Sequence, residues 1–384
     1  MSTSVWLIPA FPLAGALINF LFGRFIGRHA HWVAVPALAA SFVAACRAFA
    51  YLWNGGPADV QLFPWIVAGD FETWVTAHVD QLTGVMLLVV TGVGALIHVY
   101  SVGYMHGDSG YARYFAYLNL FVFSMTMLVL AGNFLLLYVF WEAVGLCSYL
   151  LIGFWYTRAA AAQAGKKAFI VNRVGDFGFG LAIMWLWTAL GTLDYGEVFK
   201  RVGELSPATA TGIALLLFVG ACGKSAQLPL HTWLPDAMEG PTPVSALIHA
   251  TELGHIDGST ALYWIATATA GLTGFYVFRM IFMTFIGDRR GETVQHRQAE
   301  AHVPHESPLP MLLPLGILAV AASIAIHVIG SLAPRPPIFR RSVSPPRACM
   351  TEPAPRNRQA LKKAWVTRWN IPAAVAPTPK PRNM

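Results

Sequence analysis

Asn133–Trp155 reads NFLLLYVFWEAVGLCSYLLIGFW, an apolar run whose tenth residue, Glu142, is its only charge. About 20 apolar residues in a helix cross a bilayer, so this stretch is expected to be a membrane span with a carboxyl at its middle. The rest of the chain agrees. Of 384 residues 56% are hydrophobic and 12% charged, against about 25% charged in soluble domains, and the mean hydropathy is +0.53. This composition excludes a soluble enzyme, a disordered protein and a disulfide-built secreted module.

Ten spans are expected, at about 5–23, 32–53, 81–101, 112–131, 133–155, 168–191, 209–228, 241–256, 260–286 and 309–332. The fold class is therefore all-α, a polytopic transmembrane helical bundle. The first stretch has too many polar, Gly and Pro breaks to read as a cleaved signal peptide. The segment PADVQLFPWIVAGDFETWVTAHV, beginning at Pro57, alternates aromatic and β-branched residues between Pro and Gly breaks, and reads as a short extramembrane hairpin. Lys and Arg of short loops mark the cytoplasmic side. Arg24, Arg28, Arg113, Arg158, Lys166, Lys167, Arg289, Arg290 and Arg297 all follow odd-numbered spans, while the loop at 54–80 has four acids and no Lys or Arg. The N-terminus is expected on the non-cytoplasmic side.

The net charge of +7 does not signal nucleic acid. Residues 334–384 hold 11 Lys and Arg against one acid, and 1–333 hold 15 against 18. With 11 prolines in 51 residues, this tail reads as disordered, and as a binder of anionic lipid or a non-native C-terminus. It breaks the orientation rule, because ten spans place it outside. Cys46, Cys147, Cys222 and Cys349 lie far apart, which indicates neither a metal site nor a disulfide framework. Phosphate loops, cluster-binding cysteine sets and hydrolase triads are not found, so redox chemistry is expected in partner subunits.

A charge at the centre of a membrane helix costs about 2.5–3.5 kcal/mol on insertion scales, which makes each one a functional hypothesis. Glu142, Lys224 (in GIALLLFVGACGKSAQLPL) and His249 (in VSALIHA) stand out. Desolvation disfavours the charged form of a carboxyl and of an amine, and proximity favours both. A Glu142–Lys224 pair is thus suited to exchanging a proton, and an imidazole, titrating near about 6.5 when unperturbed, to passing it on. The bland alternatives are a register-fixing ion pair and a hydrogen-bonded core histidine. Pro229, Pro235, Pro241 and Pro243 follow Lys224. Broken helices persist at membrane depth where they line a cavity. Arg173 and Asp176 (in KKAFIVNRVGDFGFG) read either as an interfacial salt bridge or as an entrance group tuning the Glu142–Lys224 pair. Asp80 is expected to cap a helix, and His302 and His305 to be solvated.

Four stretches together, HVDQLTGVMLLVVTGVGALIHVYSVGYMHGD (78–108), YVFWEAVGLCSYLLIGFW (138–155), KKAFIVNRVGDFGF (166–179) and GKSAQLPLHTWLPDAMEGPTPVSALIHA (223–250), resemble the antiporter-like membrane subunit 5/L of NADH–quinone oxidoreductase, respiratory complex I. The resemblance runs through residues 1–251. It implies that Glu142 and Lys224 are the membrane-embedded proton-transfer pair, His249 the connecting histidine, and Arg173 and Asp176 the ion pair beside them. It implies NADH, FMN, iron–sulfur clusters and quinone in the other membrane and peripheral subunits and none in this chain. The location implied is a bacterial inner membrane. After IHAT (248–251) the chain departs from the pattern. ELGHIDGS leads to ALYWIATATAGLTGFYVFRMIFMTFIGDRRG (261–291) and HESPLPMLLPLGILAV (305–320), which resemble much later helices. About four spans, the second half-channel and the lateral helix are missing by that comparison, leaving an incomplete second repeat.

The expected organisation is N-terminal helices with a hairpin over 1–110, an antiporter-like proton-channel repeat over 111–256, C-terminal helices over 257–333 and the basic tail over 334–384. The expected function is proton conduction coupled to electron transfer from NADH to quinone in partner subunits. The alternatives are a subunit of a multisubunit cation/proton antiporter, a relative from a membrane-bound hydrogenase or quinone oxidoreductase, and a truncated, non-transporting structural subunit. No nucleic-acid partner is expected.

Overall fold

The computed structural model describes residues 2–69, 71–242, 309–311, 313, 314 and 317. The expected spans 241–256 and 260–286, the tail and nearly all of 309–332 lie outside these residues, as do His249, Cys349, His302 and His305.

One turn, α1 (Ser2–Val5), precedes α2 (Leu7–Ile26) and α3 (His31–Gly55); the hairpin β1 (Ala58–Ala68) and β2 (Phe71–Val79) follows. Then come α4 (Gln81–Tyr104), α5 (Tyr111–Leu130), α6 (Phe134–Ile152), α7 (Ala159–Leu190), the short α8 (Tyr195–Arg201) and α9 (Pro207–Lys224). Among the described residues, seven helices are long and apolar enough to cross a membrane. They answer to the first seven expected spans. The bounds differ most at α7. It begins at Ala159 because AAAAQAG is a strong helix former, and its 32 residues rise about 48 Å at 1.5 Å each. That exceeds the roughly 30 Å hydrocarbon core, so an end carrying Lys166 and Lys167 extends beyond it. α9 stops at Lys224 rather than at 228, and two 3-10 turns, Leu230–Trp233 and Asp236–Glu239, replace the helix among the prolines.

Side-chain caps set where several helices start. Asp80 accepts from the Thr83 amide at 2.7 Å, Asn133 from Leu136 at 2.8 Å and Ser206 from Thr209 at 3.1 Å, each satisfying an otherwise orphaned amide of a first turn.

The expected hairpin is antiparallel, paired from Ala58↔Val79 to Ala68↔Phe71 with irregularities at Gln61/Phe63 and Pro64/Ile66. Val75, Ala77 and Val79 of β2 are buried, whereas β1 leaves Leu62, Phe63, Trp65 and Val67 exposed. The hairpin is tied to the α5–α6 connection, which is itself bonded to the α7–α8 connection. The Gly132 amide donates to the Thr76 carbonyl at 2.9 Å, Asn133 Nδ2 to the Trp74 carbonyl at 2.9 Å, and the Phe134 amide to the Leu193 carbonyl at 3.0 Å. A Cβ on Gly132 would come 2.9 Å from the Thr76 carbonyl oxygen, so a side chain there would push the hairpin off.

At the opposite ends of these helices, basic and aromatic side chains interleave. Arg113 lies over the rings of Phe154 and Tyr156 at 4.7 and 4.9 Å, Arg158 over Trp155 at 4.6 Å, and the Trp155 indole donates to Asp108 at 3.0 Å. Trp, Tyr and Arg at helix ends are the usual furnishing of a membrane–water interface.

Candidate functional site

Helices α6, α7 and α9 meet through their smallest residues. A Cβ on Gly175 of α7 would sit 3.1 Å from the Gly223 Cα and from the Val219 carbonyl oxygen of α9. The two backbones therefore touch almost directly, the arrangement that lets membrane helices associate without a hydrophobic driving force between them. That approach brings the end of α9 to the middle of α7.

Four of the five expected site residues gather there, in a pairing different from the expected one. Glu142 of α6 forms an ion pair with Arg173 of α7. Lys224, the last residue of α9, has its Nζ 3.4 Å from Asp176 Oδ2 of α7. The expected Glu142–Lys224 and Arg173–Asp176 couples have exchanged partners. Arg173 reaches the carboxylate of α6, while Asp176 lies at the level where the end of α9 brings in the Lys224 ammonium. Asp176 is 1% exposed, while the Arg173 side chain is 42% exposed and its guanidinium lies 4.6 Å over the Phe169 ring.

Two further residues that the sequence reading passed over shape the cluster. The Trp141 indole donates from Nε1 to Asp176 Oδ1 at 2.6 Å, and its ring lies 5.8 Å from Lys224 Nζ. Trp141 stacks on Phe179, centroids 5.1 Å apart, and Tyr138 stacks on the same ring at 5.8 Å. The Asp176 carboxylate is therefore held on one oxygen by an indole and on the other by an ammonium. Gly145, one turn after Trp141, leaves the space the ammonium occupies, for a Cβ there would be 2.6 Å from Nζ. A tryptophan one residue before an intramembrane glutamate, and a glycine three after it, were the available signals, but both residue types are common in apolar helices.

The helix break beyond Lys224 is fastened back onto the bundle. Trp233 donates to the Gly223 carbonyl at 3.0 Å, and Lys167 pairs with Asp236 at 2.8 Å. Asp80 is a helix cap as expected. Cys147 is buried, Cys46 exposed and Cys222 partly buried, all as free thiols. Among the described residues, no group of three or more His, Cys, Asp or Glu could hold a metal ion.

Comparison with known proteins gives this arrangement a family. Residues 131–287 match the model described as NADH:quinone oxidoreductase/Mrp antiporter, TM, and residues 65–115 that of NADH-Ubiquinone oxidoreductase (complex I), chain 5 N-terminus. The chain is 48% identical over 252 residues to NADH-quinone oxidoreductase subunit L of Mycobacterium tuberculosis, covering 65% of this chain and 40% of that protein. Against the Neisseria meningitidis subunit L of strain Z2491 it is 44% identical over 303 residues, or 73% and 45% of the two chains. The chain thus spans less than half the length of these relatives. Among solved structures, the Mrp complex from Dietzia sp. superposes with a TM-score of 0.56 at 32% identity, covering 65% of this chain and 26% of that one. The membrane-bound sulfane sulfur reductase, an archaeal respiratory membrane complex, has the same fold, with a TM-score of 0.55 at 20% identity over 63% of this chain and 49% of that one. From the seven spans and these likenesses, the chain belongs to the antiporter-like integral membrane family of subunit 5/L of NADH–quinone oxidoreductase, respiratory complex I.

Proposed function

We propose that this chain is a membrane subunit of a proton-pumping NADH–quinone oxidoreductase and carries a proton half-channel. The observation that supports this most is the quartet of alternating charges, Glu142–Arg173 and Asp176–Lys224, at the junction of three apolar helices. A purely structural role needs one ion pair. Two that share a helix turn allow exchange. When Lys224 gives up its proton, Asp176 loses its cation and attracts Arg173, one turn away on α7, which releases Glu142. Re-protonation of Lys224 restores the first pairing. Charge movement at Glu142 is thereby linked to proton occupancy at Lys224, and the broken segment after Lys224 leads towards His249, the onward carrier in this reading.

NADH, FMN, iron–sulfur clusters and quinone belong in this reading to partner subunits, as does all redox chemistry. The relay lies in 111–256, between the N-terminal helices with their hairpin (1–110) and the C-terminal helices (257–333), with the basic tail at 334–384. The location is a bacterial inner membrane with the N-terminus on the non-cytoplasmic side, consistent with the Arg113–Arg158 end facing the cytoplasm.

Glu142→Gln tests the reading in inverted membrane vesicles that hold the assembled complex. It is expected to insert normally and to lower the NADH-driven pH gradient. A normal gradient would exclude Glu142 from the relay. A cation/proton antiporter subunit is the second reading, favoured by the superposition on the Mrp complex. Sodium-dependent proton flux without NADH oxidation would select it.

A further inference from the structure

Away from the charged cluster, helices α2, α4 and α5, with α3 packed against each of them, carry a second set of polar side chains. Asn19, His98 and Asn119 are 2%, 0% and 0% exposed. Part of their hydrogen-bonding capacity is used locally. Asn119 Nδ2 donates to the Phe115 carbonyl at 3.0 Å, and His98 Nδ1 lies 2.8 Å from the Gly94 carbonyl oxygen. A carbonyl only accepts, so Nδ1 carries the hydrogen, and Nε2 of the neutral ring is left as an acceptor. Of the buried atoms of these three side chains, four have no hydrogen-bond partner among the described residues: Asn19 Nδ2 and Oδ1, Asn119 Oδ1 and His98 Nε2.

The three side chains share one level of the bundle. Gly15 of α2 abuts the Asn119 amide, where a Cβ would be 2.7 Å from Oδ1, and Gly23 abuts Ala112. α2 and α5 are therefore antiparallel, and Asn19, one turn beyond Gly15, falls beside residues 115 and 116. On α4, Gly94 faces Val122, and Ser101 Oγ lies 3.2 Å from the Tyr114 hydroxyl. His98 lies between these points, its ring centroid 6.1 Å from that of Phe115. The three residues thus surround the same turn of α5, Phe115 to Asn119.

We infer that this layer is an internal hydration site, in which a small cluster of bound water bridges Asn19, His98 Nε2 and Asn119 Oδ1. The donor–acceptor balance selects the ligand. Three acceptors and one donor are to be satisfied together. An anion supplies no hydrogens, and a bare cation cannot accept from Asn19 Nδ2. A pair of water molecules offers enough hydrogens for all three acceptors and one water–water bond, and a lone pair for the donor. Buried polar groups in proteins are paired as a rule, and internal water, about one per 27 residues with about three hydrogen bonds each, is the usual partner where side chains do not suffice. The cluster would link three helices that have little hydrophobic drive to associate in lipid. It is made of helices other than those of the proposed relay and stands whether or not that relay operates.

X-ray radiolytic footprinting of the assembled complex in lipid nanodiscs reports bound water next to buried side chains. Phe115 and His98 are expected to be oxidised at least about tenfold faster than Phe121, an equally buried ring of the same helix, and heavy-oxygen water to be incorporated slowly. Labelling of Phe115 and His98 no faster than of Phe121 would overturn the inference. A high-resolution electron cryomicroscopy map of the same sample gives a second reading. Isolated density is expected about 2.6–3.2 Å from His98 Nε2 and Asn119 Oδ1. Absence of that density, or another protein side chain in its place, would overturn the inference. Asn19→Leu is expected to slow Phe115 labelling, and unchanged labelling would remove Asn19 from the site.

Discussion

Trp141→Phe isolates one hydrogen bond of the charged cluster. Phenylalanine keeps an aromatic ring against Phe179, which Trp141 meets at 5.1 Å, but has no N–H for Asp176 Oδ1, now 2.6 Å away. A hydrogen bond to a charged group contributes about 1.5–3 kcal/mol, and Asp176, 1% exposed, has no bulk water to replace it. A loss of about 2 kcal/mol is about 30-fold in a two-state population, at about 1.4 kcal/mol per decade. It falls on the arrangement that holds Asp176 against Lys224. The assay is NADH-driven quenching of a pH-gradient dye in inverted vesicles, with NADH oxidation followed in parallel and thermal unfolding measured in detergent. Trp141→Phe is expected to lower the gradient formed per NADH while the complex still assembles. Trp141→Leu, which also loses the stacking, is expected to unfold at a lower temperature by the equivalent of about a further 0.5–1.5 kcal/mol. A Trp141→Phe complex with the parent's gradient and thermal midpoint would refute the reasoning.

Other expectations rest on separate contacts. Gly145→Ala places a Cβ 2.6 Å from Lys224 Nζ; the flexible lysine moves and the fold survives, so gradient formation should fall with assembly intact, as quantified by the subunit's yield in the purified complex. Gly175→Val forces side-chain atoms against the α9 backbone at 3.1 Å, and overpacking of this kind costs about 1–3 kcal/mol, read as a lower thermal midpoint. Asn133→Ala removes both the cap on Leu136 and the bond to the Trp74 carbonyl; a loss of about 1–3 kcal/mol should appear as faster hydrogen exchange in β2. The Arg201 guanidinium, by hydrogen bond and charge, holds the Glu204 carboxyl below its ordinary value. The contribution of that pair is therefore present at neutral pH and lost as pH falls through the lowered value, and Glu204→Gln should abolish this pH dependence in the hydrogen exchange of residues 201–206.

The parts of this fold that sequence exposes are those fixed by one segment at a time. A span needs only its own apolar length, and so Asn133–Trp155 and its six described companions could be read without neighbours. The hairpin could be read from its alternation and breaks, and Asp80 from the polar step before an apolar run. What depends on how two helices are turned towards each other was not legible. Arg173 and Asp176 sit three residues apart and look like partners, yet their ion pairs go to different helices, α6 and α9. That choice is made by the Gly175–Gly223 contact, which fixes the rotation of α7 against α9. Likewise Trp141 and Gly145, ordinary residues in an apolar helix, frame Lys224 only because α6 also faces the end of α9. The start of α7 differs from the expected 168 for a simpler reason: hydropathy falls at Lys166 and Lys167 while helix propensity does not.

The central claim is that Lys224 carries protons, and the proton-to-NADH ratio of the assembled complex carrying Lys224→Met tests it most directly. NADH oxidation is expected to persist and the ratio to fall below that of the parent complex, because methionine fills the same space without a titratable group. An unchanged ratio, with the variant subunit present in full amount in the purified complex, would contradict it.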